Sequence, residues 1–295
     1  FSQCEFLDPA ILGHASYYSF KNRYTVQVKT NVGTHTFNKV VGYKNLDELS
    51  HLLTPYSYRV LKEDCLDLPE KIYTKRQVDL TPEQHKAYKE MKEIALTFFE
   101  DGSVLTASTV MTQLLRLHQI SCGHLITESG ETKIFKNNRI TELMDILEEV
   151  DGKVIIWANY RQDIRTIYDT ISKKYGKETV ATYYGDTPDD ERQGIVQKFQ
   201  DKDSSLRYFV GNQQTAGYGL TLTAAKTVVY YSNNYDLEKR IQSEDRAHRI
   251  GQKSNVTYID LIAEKTVDER IVKALRNKIN IASKVLGEEF KEWLT

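Results

Sequence analysis

Almost no charge of either sign is left over in this chain: 40 lysines and arginines face 41 aspartates and glutamates. That balance excludes a protein that coats nucleic acid through its global field, so any polyanion must be met by a local patch. Cysteine is scarce. Cys4, Cys65 and Cys122 are odd in number, far apart and never in a C-x-x-C pair, which excludes a disulfide scaffold and fits reduced thiols in a cytosol-like compartment. His118, Cys122 and His124 come nearest to a metal cluster, but no fourth ligand stands at a suitable spacing, and buried or capping roles are expected for them. No apolar run reaches membrane length, and nothing at the start of the chain reads as a signal peptide. A phosphate-binding loop is missing as well. No G-x-x-x-x-G-K-S/T occurs, because the Gly-Lys pairs at 152 and 176 continue as Val154 and Glu178. No Asp-Glu pair follows a buried-strand pattern either. Phe1 opens a stretch, FSQCEFLDPAIL, that reads as mid-domain sequence, so the chain is expected to be part of something longer.

What is present falls into two patterns. Residues 9 to 46 hold five basic side chains, Lys21, Arg23, Lys29, Lys39 and Lys44, and no acidic one. Tyr17, Tyr18, Phe20, Tyr24, Phe37 and Tyr43 lie among them. YTVQVKTNVGTHTFNKVV alternates around Asn-Val-Gly, the pattern of a basic two-stranded hairpin from Tyr24 to Val41. NLDELSHLL reads as a short helix. LTPEQHKAYKEMKEIALTFFE has a full start signal, with Thr81 as N-cap, Pro82 at the first helical position and Gln84 closing a capping box. STVMTQLLRLHQISCG continues in helical period.

From Asn138 helix and strand patterns alternate, as in a parallel sheet covered on both faces. RITELMDILEEV, YRQDIRTIYDTISKKYG and PDDERQGIVQKF read as helices, the last capped by Thr187 with Pro188 at its first position. KVIIWA, TVATYY, LRYFVGN, TVVYYSN and VTYIDLIA read as strands. TVDERIVKALRNKI and ASKVLGEEFKEWL read as two closing helices. The expected fold class is α/β, with the sheet within residues 131–295 and a mostly helical section carrying the basic hairpin over 1–130.

In open parallel sheets ligands sit at the carboxyl edge of the strands, where loops and helix N-termini present free amides. Three polar stretches fall there, each expected to lead into a helix. Asn159, Tyr160 and Arg161 follow KVIIWA; Tyr184, Gly185, Asp186 and Thr187 follow TVATYY; NQQTAGYGL follows LRYFV. In the third, Gly211, Gly217 and Gly219 flank Gln213, Gln214 and Thr215. Such glycines either let backbone amides approach an anion or give a tight turn room. QSEDRAHRIGQ, at 242–252, adds charge. On a helix from near Asp236 to Gly251, Gln242, Arg246 and Arg249 are spaced by four and three and share a face. Two guanidinium forks beside an amide suit a polyphosphate. The other reading pairs Asp245 with Arg249 across one turn, as ordinary surface electrostatics.

QSEDRAHRIGQ resembles the sixth motif of the Swi/Snf-type ATPases, the double-stranded DNA translocases of helicase superfamily two. TAGYGLTLTAAKTVVYY resembles their fifth motif, KVIIWANYRQDI the fourth, and YYGDTPDDERQGIVQKF the stretch after it, in the same order. FLDPAILG, LPEKIYTKRQVDLTPEQHKAYKEM and LLRLHQISCGHL resemble the helical elements that this family inserts before its second RecA-like lobe. The likeness covers nearly the whole chain. It departs at Ala216, where the family usually has the first of two adjacent glycines, and at Thr221, where it often has Asn. The Thr form resembles bacterial and phage relatives.

The resemblance implies a RecA-like second lobe that supplies Arg246 and Arg249 as arginine fingers to the terminal phosphates of ATP. Gln242, Gly217 and Gly219 would lie on the nucleotide side. Asn159, Tyr160, Gly185, Asp186, Gln214 and Thr215 would grip the DNA backbone; separately, the charge of the basic stretch makes Lys21 and Arg23 candidate DNA contacts. ATP and Mg²⁺ would be held mainly by a first lobe that this sequence lacks, so the chain alone is expected to be inactive. Double-stranded DNA and that first lobe are the implied partners. The implied setting is cytoplasmic, at the nucleoid or in a phage-infected cell, and away from membranes. A non-catalytic DNA-binding or regulatory module, or the lobe of a strand-separating helicase, are the alternatives. Lysines on the hairpin either neutralise phosphates without reading sequence or are simply solvated. Its aromatics are expected to pack, because an intact duplex offers no free bases.

Overall fold

A computed structural model describes residues 1–32, 35–58, 65–100, 107–127, 129–215 and 219–286. The front of the chain forms α1 (Ser2–Leu7) and α2 (Tyr17–Tyr24), the second capped by Ser16, whose Oγ accepts from the Ser19 amide. The expected hairpin is present. Its strands β1 (Thr25–Val32) and β2 (His35–Tyr43) pair antiparallel, with Thr25 opposite Tyr43, Val32 opposite His35 and a bulge between Val26 and Gln27. α3 (Leu46–Leu53) follows.

β3 (Lys71–Val78) corrects the expected organisation. Its sequence lies between helical patterns, yet its alternating β-branched, aromatic and charged residues suit an edge strand with one covered face. It pairs in parallel with the last strand of the chain, so the sheet begins well before residue 130. α4 (Pro82–Glu100) starts as expected: the Thr81 amide donates to Gln84 Oε1 (3.1 Å), and the Gln84 amide donates to Thr81 Oγ1 (3.4 Å). α5 (Ala107–Cys122) and the small antiparallel pair β4 (His124–Ile126) and β5 (Thr132–Ile134) complete the front section.

Then come α6 (Asn138–Glu149), capped by Asn137, β6 (Lys153–Trp157), α7 (Arg161–Tyr175) and β7 (Val180–Tyr183). α8 (Asp189–Gln200) begins one residue later than expected, with Pro188 at the cap. Thr187 instead closes the preceding loop, accepting from the Tyr184 amide and donating to Thr182 O (both 3.1 Å). β8 (Tyr208–Gly211), β9 (Ala225–Tyr230), α9 (Leu237–Glu244), β10 (Val256–Ala263) and α10 (Val267–Leu286) finish the described chain. α10 runs without a break through the expected gap between two closing helices, because no glycine or proline interrupts residues 267–286.

The sheet has six strands in the order β3-β10-β9-β6-β8-β7, and every pairing is parallel. Its two faces follow the period of two. Val154, Ile156 and Val210 join Leu143, Leu147, Ile164 and Ile167 in one core, while Ile155, Trp157, Phe209 and Tyr230 join Phe199, Leu222 and Tyr258 in the other. From the central β6 the chain winds first towards β7, returns through β8, then crosses to β9 and β10. The loops after β6, β8 and β9 therefore meet at the carboxyl edge where the winding reverses.

Candidate functional site at the carboxyl edge of the sheet

α9 starts at Asp236, whose Oδ1 accepts from the Lys239 amide (3.3 Å), but it ends at Glu244. Arg246 and Arg249 therefore do not share a helical stripe with Gln242, which corrects the expected geometry. Gln242 sits on the helix, its amide donating to Glu238 Oε1 one turn back (2.9 Å). The arginines occupy a succession of tight turns closed by bonds such as Ala247 N to Glu244 O (3.1 Å) and Gln252 N to Arg249 O (2.9 Å). Gly251, at φ 99°, takes the left-handed conformation expected of it.

Tertiary bonds explain why the helix stops. The Gln252 amide donates to Thr223 O and Ala225 O (both 3.0 Å), the Leu222 amide donates to Arg246 O (2.9 Å), and Ala247 is fully buried. This fastens residues 245–252 onto the segment leading into β9. The two guanidiniums lie over adjacent residues of that segment, Arg246 Nη1 at 3.4 Å from Leu220 O and Arg249 Nη1 at 3.5 Å from Thr221 Oγ1. Burial and the positive charge of Arg249 hold the Arg246 guanidinium below its ordinary value, with Asp245 opposing them. Asp245 also meets Lys71 Nζ at 3.7 Å, and no helical turn joins it to Arg249.

Arg240, which sequence reasoning passed over, holds this region to the sheet. Its buried guanidinium bonds both Asp260 oxygens (2.5 and 3.0 Å), Glu244 Oε1 (2.9 Å) and Asn233 Oδ1 (2.8 Å), and lies 3.4 Å from the Tyr230 ring centre. Glu244 also accepts from Lys71 (3.2 Å) and from the Tyr73 hydroxyl (2.8 Å). The early strand β3 thus helps to place the arginine turn, and burial pushes the Tyr73 hydroxyl up beyond its ordinary range.

The glycine-rich stretch after β8 resolves into separate roles. A side chain at Gly211 would come within 2.9 Å of Trp157, so this glycine gives room inside the sheet. Gly219 adopts φ 77°. Gly217 and Ala216 lie outside the described residues. Gln213 is buried and accepts from Asn234 Nδ2 (3.3 Å), whereas Gln214 is exposed and Thr215 half-buried. Asn212 bridges to the neighbouring loop by donating to Asn159 O (2.9 Å). No helix follows among the described residues of 212–224, against expectation. Gly219 turns the chain and Leu222 is drawn inwards to the Arg246 carbonyl.

After β6 the Asn159 amide donates to Ser232 Oγ (2.8 Å). Tyr160 turns inwards: its hydroxyl meets His118 Nδ1 (2.8 Å), and its ring packs edge-on against His118 and His124. Burial drives that hydroxyl well above its ordinary value. His124 Nδ1 lies 3.1 Å from Asp163 Oδ1, and burial also raises the Cys122 thiol. Among the described residues no three His, Cys, Asp or Glu side chains converge as a metal site.

Beside this anchored loop, Asp186 meets Arg161 Nη1 (3.0 Å) and Arg165 Nη2 (3.4 Å), whose side chains are 67% and 58% exposed. A side chain at Gly185 would lie 3.4 Å from Arg161 Nη2, which places this glycine against the same arginine. Arg161 entered the sequence reading only as the end of the polar stretch after KVIIWA and Arg165 was not singled out, although their spacing of four on an N-terminal helical turn is a readable signal. Of the two candidates in the basic stretch, Arg23 is committed to Glu48, which also accepts from the Tyr24 hydroxyl (3.1 Å), and so ties α2 to α3. Lys21 is half-buried, and its carbonyl accepts from Thr25 Oγ1 (2.6 Å).

A parallel α/β sheet with paired arginines at its carboxyl edge is the arrangement that the resemblance to a helicase-like ATPase lobe leads one to expect. Comparison with known proteins agrees. A helicase conserved C-terminal domain matches residues 136–251, and an SNF2-related domain matches residues 2–125. The chain belongs to the Swi/Snf-type helicase-like ATPases, and its sheet is RecA-like. It is 28% identical over 266 residues to the putative ATP-dependent helicase/translocase YwqA of Bacillus subtilis, covering 85% of this chain and 28% of that protein. It is 30% identical over 254 residues to the mouse DNA annealing helicase and endonuclease ZRANB3, covering 83% and 22%. The Sulfolobus solfataricus SWI2/SNF2 ATPase core, solved in complex with double-stranded DNA, superposes with a TM-score of 0.59 at 28% identity, covering 94% of this chain and 57% of that one. The chain thus spans about a quarter of the length of these curated relatives. No helix among the described residues is long and apolar enough to cross a membrane.

Proposed function

We propose that this chain is the arginine-bearing second lobe of an ATP-dependent translocase that tracks along double-stranded DNA. The observation that carries the reading is the stapled turn of residues 245–252. It sets Arg246 and Arg249 over adjacent residues and leaves Arg246 bearing the field of a like charge. Two cations held together at a sheet edge at a cost in repulsion are relieved by an anion with several oxygens, such as the terminal phosphates of ATP. In that role Arg246 and Arg249 oppose the charge that builds on the transferred phosphoryl group as water attacks.

The nucleotide would be held from its other side by a lobe carrying a phosphate loop, which this sequence does not contain. The residues here do not fit a magnesium site: none converges as one among those described, and Glu244, Asp260 and Asp186 already face arginines. Closure of two lobes on ATP and reopening after hydrolysis would move two DNA grips relative to one another. On this lobe the grip comprises Arg161 and Arg165, oriented by Asp186, with exposed Gln214 and the backbone around Thr215. A carboxylate repels phosphate, so Asp186 acts by holding the arginines. Tyr160 positions the loop from beneath.

The test is DNA-stimulated ATP hydrolysis by this lobe joined to its phosphate-loop lobe. Arg246→Ala and Arg249→Ala should each lower turnover by roughly a hundredfold or more with duplex binding nearly intact. Wild-type turnover in both variants would reduce the pair to surface charge.

A further inference from the structure

The β1–β2 ribbon keeps its apolar side chains half in water. Val26 is 42% exposed, Val28 51%, Phe37 49% and Val41 55%. The register gathers them on one face: Val28 stands opposite Lys39 and Thr30 opposite Phe37, with Val41 two residues along from Lys39. At the bulge Val26 stays on that side, since a side chain on Gly42 would meet Val26 Cβ at 3.8 Å. Lys39 lies in the middle of this apolar face, and Lys29 points from the opposite one. No acidic residue occurs between 9 and 46. Arg23, at the base, is neutralised by Glu48.

Nearby aromatics behave differently. Phe20 and Tyr24 pack against each other at 5.0 Å, and Phe1, Tyr17 and His14 surround them, so these rings are structural, as expected. Phe37 lies near the free end of the ribbon and takes no part in that cluster. A two-stranded ribbon with an uncovered apolar face is marginal in water unless something packs on it. The lysines, with no acid among them, call for an anionic occupant, and the valines and phenylalanine call for an apolar one. An intact duplex supplies the first requirement only. Where its strands part, phosphates and unstacked base faces occur together.

We propose that this ribbon engages DNA at a junction between duplex and single strand, with Phe37 and the valine face against unpaired bases and Lys39 and Lys29 on flanking phosphates. The inference rests on the duplex-tracking reading and adds to it a preference for a DNA shape. Fluorescence anisotropy with a blunt duplex, and with the same duplex carrying an unpaired tail, tests it on this chain. The tail should tighten binding by about tenfold. Phe37→Ser should remove most of that gain and leave blunt-duplex affinity unchanged, while Lys39→Gln should weaken both and lower the salt slope by about one. Val28→Thr, which keeps the branched shape of a strand residue, repeats the test should the serine variant fold poorly.

Equal wild-type binding to both DNAs overturns the proposal, as does a Phe37→Ser variant that weakens both alike. So does a dimer that dissociates on Phe37→Ser with no preference for the tail, which would assign the face to a second copy of the chain. A chain that binds neither DNA sinks the duplex-tracking reading itself. One that binds blunt duplex and ignores the tail sinks only the junction.

Discussion

Arg139 and Arg240 lie inside this molecule; Arg246 and Arg249 lie at its edge. The inner pair is held by protein acceptors: Arg139 bonds Ser121 O, Tyr231 O, Leu261 O and Asp268, and Arg240 bonds Asp260, Glu244 and Asn233. The outer pair is placed by backbone bonds of its own turn, with Arg246 Nη1 at 3.4 Å from Leu220 O and Arg249 Nη1 at 3.5 Å from Thr221 Oγ1. The same side chain thus does two jobs. Enclosed by carboxylates and carbonyls, it is architecture; brought against a like charge at a strand edge, it is, on the function proposed above, a group prepared for a ligand. Burial alone does not separate the two, since Arg246 is itself partly buried. The sign of its neighbours does.

This contrast breaks most readily at Arg240. Removing one partner of a buried ion network strands the others without compensation, so Arg240→Ala should destabilise the fold by about 3–5 kcal/mol in urea unfolding. Arg246→Ala should cost under about 1 kcal/mol by the same measurement. Comparable losses for the two would mean that the edge arginine is structural as well.

A pH titration sharpens the contrast within the interior. Burial lowers the His118 imidazole below its ordinary value, with Asp268 opposing this and Arg139 assisting. A histidine depressed in the fold stays neutral while its unfolded counterpart takes up a proton. Stability should therefore fall as the pH drops below about 6.5, by up to about 1.4 kcal/mol per pH unit, until the folded value is reached. Asp268 acts at lower pH: burial pushes it up, but Arg139 and His118 outweigh that and hold it below the ordinary carboxylate range. Its contribution is present above the unfolded carboxylate value and is lost as pH falls through the folded one. His118→Gln should flatten the first decline and shrink the second, because Arg139 then holds Asp268 down without His118; an unchanged profile would remove His118 from the account.

The helical and strand periods, the Thr81 capping box and the alternation after Asn138 were legible because they are local. Three features were not, and each depends on a distant partner. β3 is recognisable only through β10, which pairs with it from nearly two hundred residues away. The end of α9 was read from Gly251, whereas the buried Glu244 and the Gln252 amide bring it forward by gripping other segments. The resemblance implied a DNA contact for Tyr160, and His118 draws its hydroxyl inwards. The geometry of Arg246 and Arg249 was misread, because helical spacing was extended past the point where tertiary bonds end the helix.

The smallest expected effect falls on Arg161 and Arg165, and it tests whether an edge arginine needs a like-charged neighbour to be functional. Both face Asp186, so by the sign of their neighbours they resemble the interior pair, yet both stay more than half exposed. Water then screens the carboxylate, and a phosphate can compete for the outer donors of each guanidinium. Arg161→Ala and Arg165→Ala should each weaken duplex binding a few-fold, to the same extent on any sequence, and lower the slope of log affinity against log salt by about one. ATP turnover at saturating DNA should hardly change. An unaltered salt slope in both variants would show that a surface carboxylate is enough to convert an arginine from grip to scaffold, and would move the DNA contact to the neighbouring Gln214 loop.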